Sequence, residues 1–100
     1  MPHIKIVPSP RFIRDAERLR LFLQKKNPIA SKKASAAIRL AIRVLSQYPE
    51  SCRVVPENTT LRELIVPFGD SGYISLYEYS PETGIVTLLT IKHQKEHDYE

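Results

Sequence analysis

The last third of the chain constrains the fold most, because two strand-forming runs flank a short break there. The runs are YISLYEY at 73–79 and IVTLLTI at 85–91, and both are rich in the β-branched and aromatic residues that suit a pleated surface. The five residues between them have Pro81 near the start and Gly84 at the end. This pattern predicts a hairpin with a four- or five-residue loop that closes on a residue with positive φ.

Successive side chains of the first of these strands point to opposite faces of the sheet. Ile74 and Leu76 share one face, which we expect to pack on helices. The other face is predicted to be a tyrosine-rich surface left partly open, carrying Tyr73, Ser75, Tyr77 and Tyr79.

Two helices are predicted in the first half of the chain. Ser9-Pro10 and Asn27-Pro28 each combine an N-cap residue with proline at the first helical position. Apolar stripes at helical spacing follow both starts, at Phe12, Ala16, Leu19 and Leu23 and then at Ala30, Ala34, Ala37, Ala41 and Leu45. The second helix should run from Pro28 to about Gln47, and so short a connection predicts an antiparallel helical hairpin.

The remaining segments complete a single domain over residues 1–100. His3–Val7 is predicted as a first strand, residues 49–60 as a surface loop, and Leu61–Val66 as the strand before the hairpin. The expected order is β-α-α-β-β-β, with the helical hairpin on one face of a small, mainly antiparallel sheet. This arrangement belongs to the α+β class.

Charge is divided unevenly along the chain. Residues 1–48 contain eleven basic and two acidic residues, a net charge of +9, whereas residues 49–100 contain four basic and nine acidic residues, a net charge of −5. The positive half should attract an acidic protein segment or nucleic acid, and charge alone does not choose between them.

Cysteine content and hydropathy narrow the class of protein further. Cys52 is the single cysteine, so an internal disulfide and a cysteine-based zinc site are excluded. No apolar run approaches the roughly 20 residues of a membrane helix, and the N-terminus lacks the apolar core of a signal peptide. We therefore expect a soluble, cytoplasmic protein that acts without a metal or cofactor.

The order of the elements and five short segments are shared with a known family. The segments are Pro28-Ile29-Ala30, Leu45 with Tyr48-Pro49, Leu61-Arg62-Glu63-Leu64, Leu76-Tyr77, and the run from Leu88 to Glu96. Over nearly the whole chain this combination resembles the RelE/ParE family of toxins from bacterial type II toxin–antitoxin systems. HQKE at 93–96, with Tyr99 nearby, is most similar to the ParE-like, plasmid-stabilisation branch.

The resemblance implies a toxin that a cognate antitoxin holds inactive in a hetero-oligomer, by wrapping a C-terminal segment around it. The charge division fits this independently, because the positive half would attract an acidic segment that folds on binding. The candidate antitoxin-binding residues form one face of the first helix, at Arg11, Arg14, Arg18 and Lys25. The alternative is that these charges only solvate the outer face of the helix.

The family implies two mechanisms, since its RelE-like branch cleaves mRNA at the ribosome and its ParE-like branch binds and poisons DNA gyrase. In RNA cleavage the 2′-hydroxyl attacks the adjacent phosphate. This reaction needs a base, an acid for the 5′-oxygen and a cation for the negative charge that develops on the phosphate. Arg62 is the candidate phosphate clamp and His93 the candidate acid or base, with assistance from Tyr77 and Lys92.

Each candidate also has a structural interpretation. Arg62 could bridge to Glu63 or Glu78, His93 could be hydrogen-bonded at the edge of the core, and Tyr77 could serve packing alone. His3 and His97 lie near the termini, where we expect exposed side chains without a role.

The charges of residues 61–91 favour the gyrase-directed mechanism. This segment contains one basic residue, Arg62, against four acidic ones, whereas RNA binding usually needs several phosphate contacts. A third possibility is a degenerate toxin that still binds its antitoxin but has lost toxicity.

Overall fold

A five-stranded sheet carries two helices on one of its faces. We describe a computed structural model, which covers residues 3–95. The elements, in chain order, are β1 (Lys5–Pro8), α1 (Pro10–Lys26), α2 (Pro28–Val44), β2 (Arg53–Val55), β3 (Asn58–Phe68), β4 (Ser71–Ser80) and β5 (Ile85–His93).

The sheet is mostly antiparallel and has the strand order β1-β5-β4-β3-β2. Within residues 3–95, β1 and β5 form the only parallel pair. The helical hairpin returns the chain to the end of the sheet where β1 finished, and three antiparallel connections then bring β5 beside β1. The predicted α+β class and the placement of the helices on one face are confirmed. The core lies between the helices and the sheet and includes Phe12, Leu19, Ala34, Leu45, Leu64, Val66, Val86, Leu88 and Ile91.

The helix start signals are confirmed by the capping geometry. The Ser9 side chain accepts a hydrogen bond from the Phe12 backbone N–H at 3.0 Å, and the Asn27 side chain accepts one from that of Ala30 at 3.1 Å. Asn27 ends α1 and begins α2, so a single residue makes the connection. At the contact between the helices, the buried hydroxyl of Ser31 donates to the Arg20 carbonyl oxygen at 3.3 Å.

Four predicted boundaries were wrong. β1 covers Lys5–Pro8 rather than His3–Val7. The segment 49–60 is not wholly a loop, because β2 lies within it and pairs with β3 through Arg53 opposite Glu63. β3 begins at Asn58 rather than at Leu61, and α2 ends at Val44 rather than near Gln47. Three residues are too few for β2 to show an alternating pattern, and its partner strand supplies the pairing that stabilises it.

The prediction of which face of β4 is buried was also wrong. Tyr73, Ser75 and Tyr77 are buried beneath the helices, whereas Ile74 and Leu76 lie on the other face and are half-exposed. The buried face tolerates these polar atoms because they are hydrogen-bonded; the Ser75 hydroxyl, for example, donates to the Thr90 carbonyl oxygen at 2.8 Å. The prediction rested on hydropathy, which favours Ile and Leu as the inward residues. It did not take account of the hydrogen bonds that satisfy the polar atoms of the buried face.

The hairpin between β4 and β5 has the predicted loop. Residues 81–84 connect the strands, Gly84 has a φ of 71°, and its N–H donates to the Ser80 carbonyl oxygen at 2.8 Å. Further along β5 a bulge interrupts the register, because Tyr77 pairs with Leu88 while Leu76 pairs with Thr90. The extra residue is Leu89.

This bulge changes which residues of β5 face the helices. Before it the inward residues are Val86 and Leu88, and after it they are Ile91 and His93. His93 lies directly opposite the buried Tyr73, so its ring is held on the helix-covered face at the edge of the core.

Candidate functional site

Arg62 and Tyr77 lie opposite each other on β3 and β4 and point to the same face of the sheet. The Arg62 guanidinium donates to the carbonyl oxygens of Glu50 at 3.0 Å and Cys52 at 2.8 Å. The Tyr77 hydroxyl donates to the Pro49 carbonyl oxygen at 2.8 Å. Both side chains therefore hold the backbone that leads from α2 into β2, which we call the 49–52 segment.

The environment of Tyr77 keeps its hydroxyl neutral. Its side chain is fully buried, and burial raises the pKa of Tyr77 well above its ordinary value, with the neighbouring Cys52 adding to the rise. A neutral phenol that already donates to a carbonyl is poorly placed to transfer a proton to a substrate. Burial also raises the pKa of Tyr73.

His93 is held by a separate set of contacts at the other end of β4. Its Nδ1 accepts a hydrogen bond from the Lys95 backbone N–H at 3.1 Å, and its Nε2 lies 3.1 Å from the Ser71 hydroxyl oxygen. These contacts assign the proton of the neutral imidazole to Nε2, which then donates to Ser71. The Tyr73 ring meets the imidazole edge to face, with 5.4 Å between the ring centroids.

The structure brings together two of the three candidate catalytic residues. Arg62 pairs with Tyr77, but His93 pairs with Tyr73, four residues away along β4. At the rise of a strand this separation is about 13 Å. Lys92 pairs with Ile74 and therefore points to the face away from the helices. The predicted ion pairs of Arg62 with Glu63 or Glu78 are not among its contacts, because its guanidinium binds backbone carbonyl oxygens. Glu63 instead pairs with Arg53 at 2.9 Å.

A cavity of about 570 Å³ adjoins His93, beneath the C-terminal half of α1 and beside the β3–β4 turn. Phe22, Phe68 and Tyr73 supply aromatic walls, and Arg18 and His93 lie among its polar residues. Phe22 was not among the residues predicted to be functional. Its position outside the apolar stripe of α1 could have indicated an exposed aromatic side chain with a role at the surface.

The candidate antitoxin-binding residues of α1 are all exposed, at helical spacing, on one face: Arg11, Arg14, Arg18 and Lys25. Arg11 lies 3.8 Å from the Asp15 carboxylate, which also accepts a hydrogen bond from the Ile91 backbone N–H at 3.4 Å. On the neighbouring face Arg20 binds Glu17 at 2.7 Å, and this contact lowers the pKa of Glu17. Part of the positive charge of α1 is therefore compensated within the helix.

The remaining predictions concern residues near the termini, metal binding and membrane helices. His3 is exposed, whereas Glu96, His97 and Tyr99 lie outside the described residues. Within residues 3–95, no three His, Cys, Asp or Glu side chains are grouped closely enough to hold a metal ion. In the same range, neither helix is long and apolar enough to cross a membrane.

Comparisons with known proteins give consistent results. A family model described as the ParE toxin of the type II toxin–antitoxin system, parDE, matches residues 6–98. Toxin RelE3 of Caulobacter vibrioides is 33% identical over 88 residues, which cover 88% of this chain and 91% of that toxin. Toxin RelE1 of the same bacterium is 32% identical over 72 residues, which cover 72% of this chain and 75% of that toxin.

The fold is also similar to that of a solved structure, the toxin–antitoxin complex RelBE2 from Mycobacterium tuberculosis. The TM-score is 0.63 at 20% sequence identity, with 94% of this chain and 100% of that chain covered. At this identity the similarity concerns the arrangement of helices and strands.

Proposed function

The chain belongs to the RelE/ParE superfamily of toxins from type II toxin–antitoxin systems, and from this premise we propose that it is a ParE-like toxin that inhibits DNA gyrase and thereby DNA replication. Its partner is a cognate antitoxin, which holds it inactive in a hetero-oligomer. Its place of action is the cytoplasm, where it would reach gyrase.

The engagement of Arg62 is the observation that carries this proposal. A phosphate clamp must present its guanidinium donors to the substrate. Here those donors hold the carbonyl oxygens of Glu50 and Cys52, and withdrawing them would leave carbonyl groups unpaired. The strand partners of Arg62 and His93, Tyr77 and Tyr73, are also about 13 Å apart along β4. Both observations support a protein that acts by binding rather than by cleaving RNA.

The acidic antitoxin segment should first meet the basic face of α1. Arg14, Arg18 and Lys25 are exposed there, and the attraction of opposite charges raises the rate of encounter more than the final affinity. Arg11 belongs to the same face but is partly compensated by Asp15.

A ribosome-dependent mRNA endonuclease is the second candidate, and the position of His93 favours it. The imidazole borders a cavity that Arg18, Lys95 and Asp70 also line, so one acid–base group, two cations and one carboxylate adjoin the same space. The Asp70 carboxylate lies 3.9 Å from the Lys95 ammonium group. Two relatives bear RelE names, which agrees with this alternative. In such an enzyme Arg62 and Tyr77 would position the backbone, and His93 would act on the substrate.

Controlled expression in a bacterium separates the two candidates. We expect incorporation of labelled thymidine to stop within minutes while incorporation of labelled methionine continues, and His93→Gln should leave this toxicity intact. Co-expression of the antitoxin should restore growth. An earlier stop in protein synthesis, relieved by His93→Gln, would favour the endonuclease. Normal growth despite tight antitoxin binding would indicate a degenerate toxin.

A further inference from the structure

The sheet face away from the helices keeps apolar side chains at the surface. Ile65 is 47% exposed, and Leu61, Ile74 and Leu76 are half-exposed. Ile65 lies directly opposite Ile74, and Leu61, which pairs with Glu78, lies diagonal to Leu76. The four apolar side chains therefore form one continuous patch across β3 and β4, which we call the open sheet patch.

Charged side chains of both signs border the open sheet patch. On the β2 side, the Arg53 guanidinium pairs with the Glu63 carboxylate at 2.9 Å. Glu78 is exposed at one end of the patch, and Lys92, which pairs with Ile74 in the sheet, lies at the other end. Glu78 is four residues from Ile74 on β4, so the two ends are about 13 Å apart along the strands. These two cations and two carboxylates balance each other.

The helical side of the molecule has a different charge. Residues 1–48, which include both helices, contain eleven basic and two acidic residues, a net charge of +9. Two copies that met through their helices would bring like charges together, which is costly. Two copies that met through the open sheet patch would instead bring together an apolar centre and balanced charges.

The distribution of charge on the patch is complementary to itself. In an isologous dimer the same surface is used by both copies. When the strands of the two copies run in opposite directions across the interface, the Lys92 end of one patch meets the Glu78 end of the other. The apolar side chains of the two patches then pack between sheets that lie about 10 Å apart, as in a β-sandwich.

The size of the sheet face is also compatible with a dimer. Strands β3 and β4 have 11 and 10 residues. A sheet of five such strands is roughly 24 Å wide and about 30 Å long, so its face covers on the order of 700 Å². A specific protein–protein interface buries about 800 Å² on each partner. The open sheet patch with its charged border therefore suits a dimer of moderate affinity.

We propose that the open sheet patch binds the same patch of a second copy of this chain, with Lys92 of each copy beside Glu78 of the other. The free toxin is then a two-fold dimer whose helices lie on its two outer sides and stay accessible. The carboxylates of Glu63 and Glu78 disfavour nucleic acid and an acidic antitoxin segment as occupants of the patch. The proposal does not depend on the target of the toxin.

The first test measures the mass of the purified, antitoxin-free toxin by sedimentation over a range of concentrations. We expect it to rise from 11.5 kDa to twice that value as the concentration increases. Ile65→Lys places a charge in the patch. Val44→Lys is the matched control, because Val44 is 48% exposed but lies on α2. Ile65→Lys should raise the dimer dissociation constant by about tenfold or more, and Val44→Lys by less than about twofold. Thermal unfolding checks that both variants are folded.

Exchanging the two charges at the ends of the patch tests the orientation of the copies. Lys92→Glu alone and Glu78→Lys alone should each weaken the dimer by roughly fivefold or more, because each places like charges opposite each other. The variant with both substitutions should recover most of the affinity. Within one copy the two positions are too far apart for an ion pair, so recovery reports a contact between copies.

The possible outcomes are distinct. A wild type that stays at 11.5 kDa at every concentration overturns the proposal. A dimer that Ile65→Lys leaves unchanged, or that Val44→Lys weakens equally, places the contact elsewhere and also overturns it. Loss of gyrase inhibition in Ile65→Lys without a change in the dimer would assign the patch to the target of the toxin instead. A double charge variant that stays as weak as the single variants would overturn the proposed orientation.

Discussion

Arg62 and Tyr77 face each other across β3 and β4, and both donate hydrogen bonds to the 49–52 segment. Two adjacent strands thus fix the path of the chain as it leaves α2. Leu45, the residue after the end of α2, is fully buried in the core and anchors the start of this path. These hydrogen bonds tie Arg62 and Tyr77 to the backbone of the 49–52 segment, and they underlie the first two predictions.

Replacing Arg62 should destabilise the protein. Arg62→Met keeps an aliphatic side chain of similar length but removes both hydrogen bonds, so the free energy of unfolding should fall by about 1–3 kcal/mol. Arg53→Met is the control, since Arg53 forms an exposed ion pair with Glu63 and should cost less than about 1 kcal/mol. Urea denaturation measures both. Equal stability of the two variants would contradict the structural role of Arg62.

Tyr77→Phe should lower the free energy of unfolding at neutral pH. It should also make the loss of stability at alkaline pH less steep. At pH 7 the variant loses the bond to Pro49, worth about 1–2 kcal/mol. The pKa of Tyr77 is raised by burial from its ordinary value near 10, so above about pH 10 the unfolded state releases this proton first and the wild type loses stability as pH rises.

The gap between the wild type and Tyr77→Phe should therefore be constant below about pH 9 and should narrow above pH 10. Tyr73, whose pKa is also raised by burial, remains in the variant and keeps part of the alkaline decline. Denaturation midpoints measured from pH 7 to 11 give this gap directly. A stability difference that widens above about pH 10 would contradict this prediction.

Gly69 in the β3–β4 turn and Gly72 near the start of β4 should respond differently to substitution by alanine. A Cβ at Gly72 would lie 2.2 Å from the Val66 carbonyl oxygen, which is backbone and cannot move aside cheaply. At Gly69, with a φ of 63°, a Cβ would meet no atom within 4 Å. Gly72→Ala should cost at least about 3 kcal/mol, and Gly69→Ala only the about 1–2 kcal/mol of a left-handed conformation. Thermal unfolding of the two variants should show this order.

Reversing charges on α1 should act on the rate of antitoxin association. With Arg14→Glu, Arg18→Glu and Lys25→Glu combined, association should slow by roughly tenfold at low salt, and its dependence on salt should weaken. Stopped-flow mixing at several ionic strengths measures both effects. The difference from the wild type should shrink at high salt, where the charges are screened. Unchanged kinetics at low salt would remove α1 from the encounter.

Local signals in the sequence were sufficient for most of the fold. The caps at Ser9 and Asn27 and the loop closed by Gly84 depend on neighbouring residues, and all three are found as predicted. The buried face of β4 could not be inferred this way, because Tyr77 is satisfied by Pro49, far along the chain. The bulge at Leu89 likewise depends on the register with β4 and leaves no pattern in β5 alone.

The candidate site was less predictable than the fold. The sequence identified Arg62 and His93 as chemically suitable residues, but the distance between them depends on pairing with Tyr77 and Tyr73 in a third strand. Which basic side chains of the helices form ion pairs also depends on packing. Eleven basic residues are visible in the first half of the chain, but which of them have acidic neighbours is decided in three dimensions.

Inhibition of DNA gyrase in a purified system tests the central claim most directly. The toxin is added to gyrase, ATP and relaxed plasmid, and supercoiling and cleaved complexes are followed on gels. We predict that supercoiling stops, that cleaved complexes accumulate, and that equimolar antitoxin added beforehand prevents both. Full supercoiling at excess toxin, together with cuts in ribosome-bound mRNA that disappear in His93→Gln, would contradict the account and identify an endonuclease.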